Sequence, residues 1–259
     1  MGKFTALGDT GKVAISALVT FLAASYGWKN TSVLYGMAAL FFIFALFFVI
    51  KSKNAHIKLE KPTHLPIKTL LKNTRFLLAS LTGILDYASS YPLFIFLPFL
   101  LLHKNISPSI LGTLVGAYLI GNLFGKTTLG KLTDKYGHAK VFIFAEACTV
   151  ACILLLTFSQ GILPVIIISI ILGTLTKGTV PVTQTMVTDT VEHHGNFEKS
   201  MSFYSFASNI VAALATMLLG FISDHFGITN AFIINASFAA AAIIPAIFFL
   251  LNSKHSGRS

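Results

Sequence analysis

Long apolar stretches, each close to the length of a membrane-spanning helix, run through most of this 259-residue chain and are separated by short polar segments. About 20 apolar residues in a helix cross the hydrocarbon layer, where backbone polar groups must be satisfied internally. Soluble domains carry about 25% charged residues, whereas this chain carries 11% and is 54% hydrophobic. The sequence therefore excludes a soluble enzyme or a disordered chain, and it predicts an all-α polytopic membrane protein.

About eight transmembrane helices are predicted from these stretches. Short polar segments with Gly, Asn or Pro separate several of them, as at residues 27–30 and 224–230. Trp28, the only Trp, falls at such a junction, where an aromatic ring would meet the lipid headgroups. The predicted spans cover approximately residues 12–27, 31–50, 75–102, 108–129, 141–159, 162–185, 201–222 and 230–251.

The basic residues predict the orientation of the chain. With the N-terminus inside, all but three of the 19 Lys and Arg residues lie on the inner side; Lys29 and Lys104 lie outside, and Lys177 lies within a span. Because Lys and Arg concentrate in cytoplasmic loops, we expect a multi-pass cell-membrane protein with both termini in the cytoplasm. In a Gram-negative source this would be the inner membrane. We therefore interpret the net charge of +10 as an interaction of basic loops with the anionic bilayer surface, not as a sign of nucleic-acid binding.

Two parts of the chain resemble each other. A turn with Gly27 and Asn30 precedes an apolar span that ends near residue 50, and a turn with Gly227 and Asn230 precedes another that ends near residue 251. Parallel repeats of this kind are common in transporters. The similarity predicts a six-span repeat unit.

A six-span unit predicts one complete six-helix bundle plus two helices of an incomplete first bundle. The chain would then be an N-terminally truncated form, and a second polypeptide would supply the missing helices. The predicted parts are the last two helices of an N-terminal half at 1–50, a basic cytoplasmic linker at 51–74, a six-helix C-terminal half at 75–251 and a cytoplasmic tail at 252–259.

The segment GKLTDKYGHAK at residues 130–140 lies between the fourth and fifth predicted spans. Its glycines allow a tight turn and a close approach of the helix ends. Asp134 can accept hydrogen bonds at a helix end or pair with a basic residue, in a contact that forms in one conformation and breaks in another. A charged turn without such a role is the alternative.

This segment resembles the loop signature of the major facilitator superfamily, G-x-L-x-D-[RK]-[FY]-G-R-[RK]. Matches occur at Gly130, Leu132, Asp134, Lys135, Tyr136 and Gly137, whereas His138 and Ala139 depart from the pattern. The resemblance implies that the eight spans correspond to helices five to twelve of twelve. It also implies a secondary active transporter of small solutes in which two bundles rock around a central cavity. Gly130, Asp134, Lys135 and Gly137 would form a conformational loop motif.

Three ionisable residues lie inside predicted spans. Because an ionisable group in the hydrocarbon region is costly in free energy, such residues indicate a functional site. At about 1.5 Å per residue, Asp86 lies roughly 16 Å and Lys177 roughly 12 Å from the inner ends of their spans. We therefore predict that Asp86 and Lys177 face one interior cavity and bind substrate or an ion; a static ion pair is the alternative. Glu146 is predicted to form a structural bridge with Lys126, which lies near the same interface; a proton site is the alternative.

Two further polar residues complete the predicted binding set. Gln184 follows Lys177 at helical spacing, and Asn209 belongs to a polar stripe that also contains Ser202, Ser205 and Thr216. Stripes of this kind also join helices to one another in membranes, so helix packing is the alternative.

No pattern in the chain indicates catalysis, a cofactor or a metal. There is no phosphate-binding loop, no C-x-x-C or H-x-x-x-H pair, and His193 and His194 are adjacent, which suits zinc poorly. Transport would be driven by an ion gradient or by the solute itself. The expected partners are the lipid bilayer, a small-molecule solute and a coupling ion. The alternative function is a non-transporting membrane remnant or a membrane interaction partner.

Overall fold

The computed structural model describes residues 25–52, 70–191 and 197–256, together with residues 15, 18, 19 and 22. The described residues form seven helices and no strand, which confirms the all-α prediction. The helices are α1 (Trp28–Ser52), α2 (Thr74–His103), α3 (Pro108–Tyr136), α4 (His138–Phe158), α5 (Ile162–Asp189), α6 (Phe197–Phe226) and α7 (Ile228–Ser256).

Five of the described helices are long and apolar enough to cross a membrane: α2, α4, α5, α6 and α7. α1 supplies a shorter apolar stretch, Lys29–Ala45, and corresponds to the predicted span at 31–50. α3 corresponds to the predicted span at 108–129 but is less hydrophobic, because its C-terminal part carries Lys126, Lys131, Asp134 and Lys135. Of the predicted span at 12–27, the structure describes residues 15, 18, 19, 22 and 25–27.

The chain divides into two compact units, Met1–Pro62 and Thr63–Ser259. α1 is the described helix of the first unit, and α2 to α7 belong to the second. The predicted boundaries at residues 50 and 74 lie among described residues on either side of the undescribed segment 53–69, the first near the end of α1 and the second at the start of α2.

The two turns that resemble each other in sequence share the same local geometry. Gly27 and Gly227 each precede a helix with a positive φ, 78° and 86° respectively, a conformation that glycine adopts without strain. Three residues later, the side-chain amide of Asn30 or Asn230 donates to the carbonyl oxygen of the residue before the glycine, at 3.1 Å in the first turn and 2.7 Å in the second. The asparagines thus satisfy carbonyls that helix geometry leaves without a partner.

The interior of the second unit is layered along the helix axes. One cluster of buried apolar side chains surrounds the turn between α2 and α3 and includes Leu97, Leu101 and Phe232. A second cluster surrounds the turn between α3 and α4 and includes Phe76 and Phe142. Between them lies what we call the polar layer. Its buried residues include Thr82, Asp86, Ser89, Ser90, Glu146, Thr149, Thr176, Thr179, Thr183 and Ser208.

Helices α3 and α5 pack with their backbones in direct contact. A Cβ atom added at Gly121 or Gly125 of α3 would overlap a carbonyl of α5, and one added at Gly173 of α5 would overlap the Tyr118 carbonyl of α3. Small residues at such crossings allow the close van der Waals packing that associates helices in lipid. The glycines therefore determine how closely α5 approaches α3.

Gly125→Ala is expected to lower the unfolding temperature of the detergent-solubilised chain, because the new Cβ would overlap the Thr174 carbonyl. Elsewhere in a helix, alanine is favoured over glycine by about 1 kcal/mol. The matched control is Gly116→Ala on the same helix, where a Cβ meets nothing within 4 Å; it should keep or raise the unfolding temperature. Equal destabilisation by the two variants would contradict the backbone contact.

Candidate functional site

Three buried threonines on one face of α5 bind polar groups from three other helices. The Thr176 hydroxyl lies 2.7 Å from the Tyr118 hydroxyl of α3. Thr179 donates to Asp86 Oδ1 of α2 at 3.2 Å. Thr183 accepts a hydrogen bond of 3.2 Å from a tyrosine hydroxyl of α6, that of Tyr204. We call Thr176, Thr179 and Thr183 the threonine face.

All three threonine hydroxyls have a further partner on their own helix, and Thr183 donates to the Val180 carbonyl at 3.0 Å. Thr176 lies 2.8 Å from the Leu172 carbonyl, and Thr179 lies 3.1 Å from the Thr176 carbonyl. A hydroxyl has a single proton to donate. Thr179 therefore serves either Asp86 or its own backbone at a given moment, so Asp86 receives at most part of one hydrogen bond from it.

Glycine also makes room for the tyrosine of α6. A Cβ atom added at Gly83 of α2 would overlap the Tyr204 hydroxyl. The ring of Tyr204 lies edge-on to Tyr87 of α2, with the centroids 6.5 Å apart. The absence of a side chain at Gly83 thus lets the Tyr204 hydroxyl reach the threonine face.

Asp86 of α2 and Glu146 of α4 form a pair of carboxyl groups at the centre of the polar layer, which we call the acidic pair. Each residue is 1% exposed, and the two side chains lie within hydrogen-bonding reach of each other. Asp86 Oδ2 and Glu146 Oε2 are buried and receive no hydrogen bond from a donor among the described residues. Two like charges in contact, away from water, repel strongly.

The partner of Glu146 differs from the sequence-based prediction. A bridge to Lys126 was expected from depth in the membrane and closeness along the chain. The charged side chain that interacts with Glu146 is instead Asp86. α4 packs mainly against α5 and α7 and only slightly against α3, so Glu146 points towards the bundle interior and not towards the helix that carries Lys126.

The other predicted binding residues lie in different environments. Lys177 interacts electrostatically with Asp86, and Lys177 and Gln184 lie two turns apart on a half-buried face of α5, next to the threonine face. Asn209 is exposed on α6, and its amide donates to the Ser205 carbonyl of the same helix at 2.7 Å. The structure therefore brings Asp86 and Lys177 together, whereas Asn209 lies outside the buried cluster.

The predicted loop motif is largely helical. Residues 130–136 form the end of α3, and Gly137, with a φ of 86°, separates α3 from α4. Lys135 lies over the Tyr136 ring, 5.1 Å from its centroid. Asp134 is exposed, and within the described segments it forms neither a hydrogen bond nor an ion pair. The contact that the sequence predicted for Asp134 is not formed there.

Two open clefts lie at the ends of the second unit, away from the polar layer. One, of about 190 Å³, lies beside the motif and includes Arg75, Lys140 and Asp189. The other, of about 520 Å³, includes Lys104, whose amine donates to the carbonyls of Thr157 at 2.8 Å and Ser159 at 2.6 Å. Partial burial lowers the pKa of Lys104. This lysine joins the α2–α3 turn to the end of α4.

Sequence reasoning missed the threonine face and the contact within the acidic pair. The spacing of Thr176, Thr179 and Thr183 at i, i+3 and i+7 places all three on one side of an otherwise apolar helix. That spacing could have identified the face. The contact between Asp86 and Glu146 depends on which helices are neighbours, which is a property of the assembled bundle.

The family model described as Major Facilitator Superfamily matches residues 79–259. The match begins within α2 and continues to the end of the chain, so it includes the polar layer, the threonine face and the motif at 130–140. It covers well over half of the sequence.

Thr179→Val is expected to destabilise the chain by about 1–3 kcal/mol, because the carboxyl of Asp86 loses the hydroxyl that donates to it. The measurement is the free energy of unfolding in mixed micelles. The matched control is Thr174→Val on the same helix, where the hydroxyl bonds its own backbone at Ile170 O; it should change stability by less than half as much. A Thr179→Val variant as stable as this control would contradict the bond's contribution.

Proposed function

This chain belongs to the major facilitator superfamily, and we propose that it is a secondary active transporter that moves a small solute by alternating access. The family supports a general transporter role, and its members are transporters, not enzymes. The solute, the driving gradient and the roles of individual residues are the parts that we propose.

The observation that supports transport most strongly is the buried acidic pair at mid-depth. Burying ionisable groups inside the hydrocarbon region costs free energy. Apolar side chains between the two apolar clusters would be more stable there. Asp86 and Glu146 are nevertheless both 1% exposed, and Asp86 interacts electrostatically with Lys177. A helical protein with only an anchoring role has no need for charges at this depth.

We propose that Asp86 and Lys177 line the site for the ion or the solute. Gln184 would extend this site along the same face of α5, and Asn209 would contact the solute from α6. The motif residues Gly130, Asp134, Lys135 and Gly137 would act at the junction of α3 and α4, where Gly137 allows the two helices to change their angle. Asp134 would form its contact only in the other transport conformation.

The threonine face offers a physical basis for two conformations. A net intramolecular hydrogen bond contributes about 0.5–1.5 kcal/mol, so exchange of the three contacts of α5 involves a few kcal/mol. Differences of that size separate conformations that are both populated during function. A small movement of α5 against α2, α3 and α6 would therefore suffice to alter access to Asp86.

The orientation that we propose places both termini in the cytoplasm and the α2–α3 turn outside. Gln160→Cys, at the cleft beside Lys104, should react with a membrane-impermeant thiol reagent added to intact cells. Lys131→Cys, at the other end of the unit, should react only after permeabilisation. The parent for both is a variant with Cys148 and Cys152 replaced by Ala. The reverse labelling pattern would contradict the orientation.

Reconstituted in liposomes together with the polypeptide that we expect to supply the missing helices, the chain should take up a solute from a panel of small labelled compounds when an ion or solute gradient is applied, whereas the chain alone should not. Asp86→Asn and Lys177→Ala should each reduce the initial rate at least about tenfold, equivalent to about 1.4 kcal/mol of transition-state stabilisation. Asp224→Asn, at an exposed end of α6, is the control and should retain the rate. Binding without uptake by every compound would favour the non-transporting alternative.

A further inference from the structure

The described residues around the acidic pair supply too few hydrogen-bond donors for its carboxyl oxygens. Asp86 receives one shared hydrogen bond, from Thr179 at 3.2 Å. Asp86 Oδ2 and Glu146 Oε2 are both buried with no donor from the described residues. The two carboxyl groups nevertheless lie within hydrogen-bonding reach of each other, and a carboxylate has no proton to donate. The contact is a hydrogen bond only if one of the two carries a proton.

Among the residues that the structure describes, the ionisable groups around the acidic pair do not provide a second positive charge. Tyr87 of α2, Tyr118 of α3 and Tyr204 of α6 interact electrostatically with Asp86, and they are neutral phenols at physiological pH. α7, which packs against both α2 and α4, has no ionisable side chain between residues 228 and 252. Lys177 of α5 is the cation that acts on Asp86, and among the described residues the charged group that acts on Glu146 is Asp86.

A metal ion suits this position less well than a proton. Hard cations take about six oxygen ligands, and the two carboxyl groups and Thr179 supply too few. Across the described part of the chain, no group of three or more His, Cys, Asp or Glu side chains is placed to hold a metal. One proton, in contrast, turns the contact between the carboxyl groups into a hydrogen bond and removes the repulsion between them.

We infer that Asp86 and Glu146 together form a proton-binding site that holds one shared proton while the site is closed. As a statement about transport, this rests on the proposed function, since only a transporter uses the proton as its coupling ion. When the polar layer opens to water, the O–H bond of the protonated carboxyl breaks. The electron pair stays on the carboxylate oxygen, and the proton passes to water. The ammonium of Lys177 then interacts with the carboxylate of Asp86, which lies beside a second carboxylate at Glu146.

The test is infrared spectroscopy of the whole chain in lipid vesicles. At neutral pH the wild-type chain should show the carbonyl stretching band of a protonated carboxylic acid, and the band should shift when H₂O is replaced by D₂O. Asp86→Asn and Glu146→Gln should each remove the band, because an amide side chain donates its own N–H to the remaining carboxylate. Asp224→Asn and Glu198→Gln change exposed carboxyl groups and should leave the band intact.

Absence of the band from the wild-type chain would overturn the inference, and this measurement needs no variant to fold. A band that survives both substitutions, or that is lost in only one of them, would also overturn it, because the proton would then not be shared by the pair. If the band behaves as expected but no solute is transported, the proton site stands and the proposed function fails. If solute is taken up but the wild-type chain lacks the band, the proposed function stands and the proton site is overturned.

Discussion

Hydrogen bonds between side chains of different helices are the interactions on which the second unit depends. In hydrocarbon no water satisfies a polar group, so each one has to find a partner within the protein. Thr176, Thr179 and Thr183 supply those partners from one face of α5 to α3, α2 and α6. α5 is thereby the helix against which three others are positioned. Its displacement would alter the hydrogen bonds that each of them makes with it.

The glycine contacts and the hydrogen bonds on α5 support each other. Gly121, Gly125 and Gly173 bring the backbones of α3 and α5 into contact, and this closeness places the Tyr118 hydroxyl 2.7 Å from Thr176. A bulky residue at the crossing would separate the helices and break that bond as well. The acidic pair lies within this tightly packed layer, which is why its two carboxyl groups are shielded from solvent.

Much of the helical architecture could be predicted from local patterns, whereas the site depended on helix assembly. Apolar stretches indicated the spans, and the turn at Gly227 followed from its glycine and asparagine. The motif at 130–140 was expected in a loop, but residues 130–136 are helical, because Lys, Leu and Thr are compatible with a helix and hydropathy does not mark its end. The cost of burying a charge singled out Asp86, but no local pattern shows that Glu146 faces it across the bundle.

The central claim is that bonds to the threonine face hold neighbouring helices to α5, and a double-mutant cycle between Tyr118→Phe and Thr176→Val tests it most directly. The free energies of unfolding of the two single variants and the double variant would be compared with wild type in mixed micelles. The account predicts a coupling of about 0.6 kcal/mol or more, the size found for such bonds in membranes. Additive effects, within the roughly 0.3 kcal/mol seen for independent sites, would contradict it.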